Sequence, residues 1–153
     1  MSKKSGRIAE RISKLEGGLW EVHYLGYFDC FNKGEYYEAH DVLEELWLSE
    51  GKSGLNYSFY KGLIQLAGAF VHVQKNRAKP AIALLDLANS NLEKYRPIHQ
   101  GVSMENIIRL ITHWKTKLQD RIETTELGLL LQSTSAPRLT LPTEVSPIRH
   151  FIG

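Results

Sequence analysis

Residues 55–76 constrain the fold more than any other segment of the chain. If they form a helix with about 100° between successive residues, apolar side chains cover most of its circumference. A helix that is apolar nearly all round must be buried among other elements. Only a narrow arc is polar or lacks a side chain, and it contains Lys61, Gln65, Gly68 and His72. The segment therefore predicts the central helix of a helical bundle.

Apolar spacing and capping signals predict four further helices around this central one. The first covers residues 19–31, where apolar residues recur every three positions, and the second covers 35–48. Proline suits the first turn of a helix, so Pro80 predicts a fourth that ends near residue 96. Ser103 is a suitable N-cap for a fifth, which reaches residue 121 or extends to 131. No segment shows sustained strand alternation. The fold class predicted is all-α, a compact bundle of about five helices with an extended C-terminal tail.

The chain divides into three segments. Residues 1–18 form a polar N-terminal lead-in, residues 19–131 the helical bundle domain, and residues 132–153 an extended tail rich in proline, serine and threonine. The tail also carries five apolar residues, Leu139, Leu141, Val145, Ile148 and Phe151. These predict that the tail packs along the bundle, with disorder as the alternative.

Composition limits which classes of partner and which cellular compartment we expect. The net charge of +2, with basic residues spread along the chain, argues against nucleic acid as a partner. No stretch approaches 18 uninterrupted apolar residues, and the N-terminus has no apolar block typical of a secretory signal. Cys30 is the single cysteine, which excludes an internal disulfide. We expect a cytoplasmic protein without a membrane partner, whose partner is an unknown protein or small-molecule ligand. The oligomeric state is left open.

Polar residues on the second and third helices predict a pocket. His40 and Glu44 lie one turn apart on the second helix, whereas Glu38, Asp41 and Glu45 are predicted to point to solvent. A short connection makes helices two and three antiparallel neighbours, so polar residues on both are expected to converge. The pocket candidates are His40, Glu44, Gln65, His72, Trp47 and Tyr37.

Three interpretations of these residues stay open. In the first, they form a buried hydrogen-bond network. In the second, two imidazoles and a carboxylate bind zinc or another divalent metal, with His40, Glu44 and His72 as candidate ligands. In the third, the polar stripe faces solvent. Because there is no HExxH motif and no cysteine cluster, we expect no cofactor.

Two blocks of residues resemble a known family. The first is FNKGEYYEAH, with Leu43, Glu44 and Trp47, and the second is GLIQLA, with Ala69, His72 and Asn76. Over roughly residues 28–88 they resemble the domain of unknown function 309 family. The resemblance implies a compact all-helical bundle, small and cytosolic, of prokaryotes and plastid lineages, with no established activity. The residues that match its motif are Asn32, Gly34, Glu38, His40, Glu44, Trp47, Gln65 and His72. The chain departs from the family pattern at Asp41, Leu48 and Pro80, where glutamate, a basic residue and glycine are more usual.

The sequence leaves more than one function open. The leading interpretation is an uncharacterised small helical protein that acts as a binding or interaction module, with a polar pocket between helices two and three. One alternative is a metal-dependent hydrolase that uses His40, Glu44 and His72, with Glu44 as a ligand or general base. Another is a partner-binding helical module whose apolar tail docks another protein. Whether the protein is an enzyme is not decided.

Overall fold

The computed structural model describes residues 20–122, 126–132 and 136–143. Within them lie five α-helices: α1 (Val22–Asn32), α2 (Tyr36–Glu50), α3 (Tyr57–Gln74), α4 (Ala78–Leu92) and α5 (Met104–Gln119). The predicted all-α bundle of about five helices is confirmed. Residues 136–143 form the extended part of the tail. The predicted lead-in at 1–18 and the tail residues Val145, Ile148 and Phe151 lie outside the described residues.

Local sequence signals account for several helix ends. Gly34 has a φ of +78°, a left-handed conformation that glycine adopts without strain, and it ends α1 just before α2 begins. Pro80 lies in the first turn of α4, as predicted. Ser103 is the N-cap of α5, and its hydroxyl accepts a hydrogen bond from the backbone N–H of Asn106 at 3.3 Å. The first turn of α5 is therefore satisfied by the residue that the sequence indicated.

Aromatic rings join the helices around α3. Phe70 of α3 lies 5.6 Å from Phe31 of α1, 5.4 Å from Tyr36 of α2 and 5.0 Å from Trp114 of α5, between ring centroids. These separations are those of favourable edge and tilted ring pairs. The segment predicted to be the central helix thus forms part of the core shared by the other helices.

Within the described residues, no helix is long and apolar enough to cross a membrane.

Two features after α4 differ from the prediction. Ile98–His99 (β1) and Val102–Ser103 (β2) pair as a small antiparallel hairpin. A strand of two residues is too short to show an alternating pattern, so the sequence did not indicate it. The fifth helix ends at Gln119, and a separate 3₁₀ helix spans Leu127–Leu131. The extension of the fifth helix to residue 131 is therefore wrong.

The hairpin is attached to the bundle by hydrogen bonds from its turn. His99 Nε2 lies 2.6 Å from Asn56 Oδ1, at the start of α3. Gln100 donates through Nε2 to the Tyr60 hydroxyl, and the Tyr24 hydroxyl donates to the Gln100 carbonyl at 2.8 Å. The hairpin therefore joins α1 and α3 at one end of the bundle.

The two glycines of α3 both face α4. A Cβ added at Gly62 would lie 2.8 Å from Cγ of Leu92, whereas one added at Gly68 would lie 3.3 Å from Cδ1 of Leu84. Leu92 is fully buried, and Leu84 is only partly buried. Close approach of a neighbouring helix therefore explains Gly62 fully and Gly68 in part.

We expect alanine to have opposite consequences at these two glycines. Gly62→Ala should lower the free energy of unfolding by about 1–2 kcal/mol, because overpacking against Leu92 outweighs the better helix propensity of alanine. Gly68→Ala should be neutral or stabilising by up to about 1 kcal/mol, because the end of Leu84 can rotate away. Urea unfolding of both variants measures the difference. Equal losses at the two positions would contradict this account of the α3–α4 contact.

Candidate functional site

Three side chains of α2 bring possible metal ligands together. One nitrogen of His40 and one carboxylate oxygen each of Asp41 and Glu44 all lie within 4.8 Å of one another. His40 Nδ1 lies 3.1 Å from Asp41 Oδ1. His40 and Glu44 are four residues apart, and Asp41 and Glu44 are three apart, which places each pair on neighbouring parts of the helix surface. The cluster therefore follows from the geometry of one helix.

Asp41 is buried, which corrects the prediction that it points to solvent. Only 5% of its surface is exposed, whereas Glu45 is exposed as predicted and Glu38 is half-buried. Helical periodicity gives the angle of a side chain around its own helix, but it does not say what covers that side chain. The three-residue spacing to Glu44 was the signal that could have placed Asp41 in the site.

The two aromatic candidates of α2 have different surroundings. The ring of Tyr37 stacks beside that of His40, with 6.5 Å between centroids, and Tyr37 is exposed. The indole of Trp47 is half-buried and lies 5.2 Å from the ring of Tyr57, at the start of α3. Tyr37 thus flanks the ligand cluster, whereas Trp47 joins α2 to α3.

Gln65 is hydrogen-bonded to a residue of α4. Asn91 Nδ2 donates to Gln65 Oε1 at 2.8 Å, so this part of the polar arc of α3 meets α4. The group of ligand atoms around His40 includes neither Gln65 nor His72. The convergence of these residues with His40 and Glu44 in one pocket stays a prediction.

His72 lies on the same side of α3 as Gln65, two turns further along. Its Nδ1 is buried and has no hydrogen-bond partner among the described residues. Burial lowers the pKa of His72, and the positive charges of Arg77 and Lys75 lower it further. Burial likewise lowers the pKa of His99 in the hairpin. Both imidazoles therefore favour the neutral form in the folded protein.

Comparison with protein families matches residues 24–84 to the family described as Domain of unknown function (DUF309). This segment belongs to the DUF309 family. The resemblance seen in the sequence is thereby confirmed, and the matched segment contains all three members of the α2 cluster. No curated protein and no solved structure matches the chain. Because the family has no described activity, function has to be inferred from the site.

We expect the two half-buried imidazoles, His72 and His99, to make stability depend on pH. A histidine whose folded pKa lies below its unfolded value of about 6.5 binds fewer protons when folded. Its contribution to stability is therefore complete above about pH 6.5 and is lost as the pH falls toward the folded pKa. The free energy of unfolding in urea should consequently fall between about pH 7.5 and about pH 5.5.

Replacing one histidine at a time identifies which imidazoles cause the pH dependence of the unfolding free energy. His72→Gln and His99→Gln should each reduce the fall in unfolding free energy between the two pH values. His113→Gln, at an exposed position of α5, is the matched control and should leave the fall unchanged. If all three variants retained the wild-type fall in full, the dependence would have to come from other groups.

Proposed function

We propose that this protein is a small helical binding module whose site on α2 takes a divalent metal ion. The observation that supports this is the closeness of an imidazole nitrogen and two carboxylate oxygens, all within 4.8 Å of one another. The site residues are His40, Asp41 and Glu44. His40 and Glu44 were candidate ligands from the sequence, and in this proposal Asp41 replaces His72 as the third.

The distance between His40 and Asp41 suits coordination by a single ion. Bonds from zinc to histidine nitrogen or carboxylate oxygen are about 2.0–2.2 Å long. Two such ligands at tetrahedral or octahedral angles lie about 3.0–3.5 Å apart, and His40 Nδ1 and Asp41 Oδ1 are separated by 3.1 Å. The hydrogen bond between them therefore holds the two atoms at the spacing that an ion would require. Glu44 completes the set by a small change of its partly exposed side chain.

The charges at the site favour a cation. Two carboxylates lie close together here, and Asp41 is withdrawn from water. Attraction between opposite charges is stronger in such a partly buried site than in bulk water. A divalent ion would offset the repulsion between the carboxylates, while the imidazole supplies a neutral ligand when its nitrogen is unprotonated.

The ligand types narrow the choice of ion. Nitrogen and oxygen donors without a thiolate suit zinc, manganese or iron(II) better than copper(I). Three protein ligands leave at least one coordination position for water or a small molecule. The binding module would then recognise a small ligand with an anionic or other oxygen donor group beside Tyr37, whose exposed ring lies next to His40.

Thermal unfolding of chelator-treated protein tests the proposal. With zinc or manganese at about 100 times its dissociation constant, binding to the folded state adds about 2.7 kcal/mol. For a chain of this length the melting temperature should then rise by about 5–10 °C. His40→Ala, Asp41→Asn and Glu44→Gln should each abolish most of this rise.

A carboxylate outside the site provides the matched control. Glu93→Gln changes an exposed side chain in a short 3₁₀ helix, Glu93–Tyr95, that follows α4, and it should preserve the full rise. Calorimetric titration should give one ion per chain for the wild type and the control. A wild-type melting temperature that no divalent ion moves would rule out the proposed function, as would a rise that survives all three site substitutions.

A further inference from the structure

Residues 136–143, called the tail strap below, are held to the bundle through their main chain. The side-chain amide of Asn32, the last residue of α1, makes two hydrogen bonds to Leu139. Its Nδ2 donates to the Leu139 carbonyl at 2.9 Å, and its Oδ1 accepts from the Leu139 N–H at 2.7 Å. This is the pair of bonds that a residue of a neighbouring β-strand would supply. Asn32 therefore binds an extended backbone whatever side chain it carries.

A second point of attachment lies four residues further along the strap. The N–H of Thr143 donates to the Gly101 carbonyl at 3.0 Å, and Trp20 Nε1 donates to the Thr143 carbonyl at 2.7 Å. A Cβ at Gly101 would lie 2.9 Å from both N and O of Thr143, and the φ of Gly101 is +74°. Only glycine permits this approach. Both attachments are thus directed at the strap's backbone.

The two attachments lie at opposite ends of α1. Asn32 ends that helix, whereas Trp20 precedes its first residue. An extended chain covers about 13 Å over the four residues from Leu139 to Thr143, which is most of the length of α1. The strap therefore runs along α1 in the opposite direction.

Three side chains of the strap, at spacings of two and three residues, are buried against the surface beneath it. Pro137, Leu139 and Pro142 are buried, whereas Leu141 is 59% exposed. A cavity of about 40 Å³ remains beside Leu139, bounded by Val102 and Ile107 among others. Many domains bind peptides by hydrogen bonds to an extended backbone, together with pockets for some of the peptide's side chains.

Asn32 lies within the segment matched by the family, residues 24–84, and the strap lies outside it. The backbone-binding amide is thus part of the matched segment, whereas Trp20, Gly101 and the strap all lie outside it. We propose that the surface formed by Asn32, Gly101 and Trp20 is a binding site for an extended peptide, occupied in cis by the tail strap. The partner it fits is an extended protein segment with a leucine between two prolines, at the spacing of Pro137, Leu139 and Pro142. This proposal does not depend on metal binding at α2.

Occupation in cis has a measurable consequence. A peptide added in trans binds only to the fraction of molecules whose strap has left the surface, so its apparent affinity is lowered by that fraction. Weakening the strap while leaving the surface intact should therefore strengthen binding of the peptide. Leu139→Asp in the full chain does this, because it places a charge at a buried position of the strap and changes none of Asn32, Gly101 and Trp20.

Fluorescence anisotropy with a labelled peptide of the sequence APRLTLPT, residues 136–143, tests the proposal on full-length protein. The peptide should bind the Leu139→Asp variant at least tenfold more tightly than it binds the wild type. Leu141→Asp, at the exposed leucine of the same strap, is the matched control and should keep the wild-type affinity. Adding Asn32→Ala to Leu139→Asp should weaken binding at least tenfold, because both hydrogen bonds to the leucine backbone are lost.

Circular dichroism establishes that each variant is folded, and Leu139→Ala takes the place of Leu139→Asp if the latter does not fold. A control peptide with aspartate for its first leucine should not bind. A folded strap variant that fails to bind the labelled peptide would overturn the proposal and leave the strap as a structural element alone. Binding that is unchanged by Asn32→Ala would also overturn it, because the backbone-binding amide would then have no part in recognition.

Discussion

The need to cover α3 on several sides at once determines how the other helices are arranged. Its ring at Phe70 contacts rings from α1, α2 and α5, and its glycines admit α4 at close range. One hydrogen bond lies inside this core, in which the Tyr27 hydroxyl donates to the Leu63 carbonyl at 2.6 Å. Burial raises the pKa of that hydroxyl well above its usual range, which keeps it a donor. The apolar surface of one helix thus accounts for the bundle.

The apolar surface of α3 also made this part of the fold predictable from the sequence. A helix that is apolar nearly all round has few other places to lie, so residues 55–76 indicated a buried helix close to the observed Tyr57–Gln74. Ser103 and Pro80 marked helix starts because their effects act within one turn. The β1–β2 hairpin was not predictable in this way. Its two-residue strands are stabilised by contacts with Asn56 and Tyr60, residues about 40 positions away.

Some residues of the candidate site were likewise predictable from the sequence, and others were not. His40 and Glu44 were identified because a four-residue spacing places them together on any helix. Asp41 was missed because its burial depends on what packs against α2, and Gln65 meets Asn91 because α4 approaches that part of α3. Periodicity fixes where a side chain points on its own helix, but only the assembled bundle determines what it meets. The closeness of Asp41 to His40 and Glu44 was therefore found only in the structure.

The α2 cluster and the tail strap differ in the range of the contacts that form them. The ligands of α2 lie within five consecutive residues and keep their spacing for as long as that helix exists. The strap is attached by contacts across 107 and 123 positions of the chain, and the entropy of closing such long loops opposes them. The hydrogen bonds that attach the strap go to Trp20, Asn32 and Gly101, and none of these residues belongs to α2. Under the two proposals, exchange of an extended partner at the strap surface would leave the spacing of the α2 cluster unchanged.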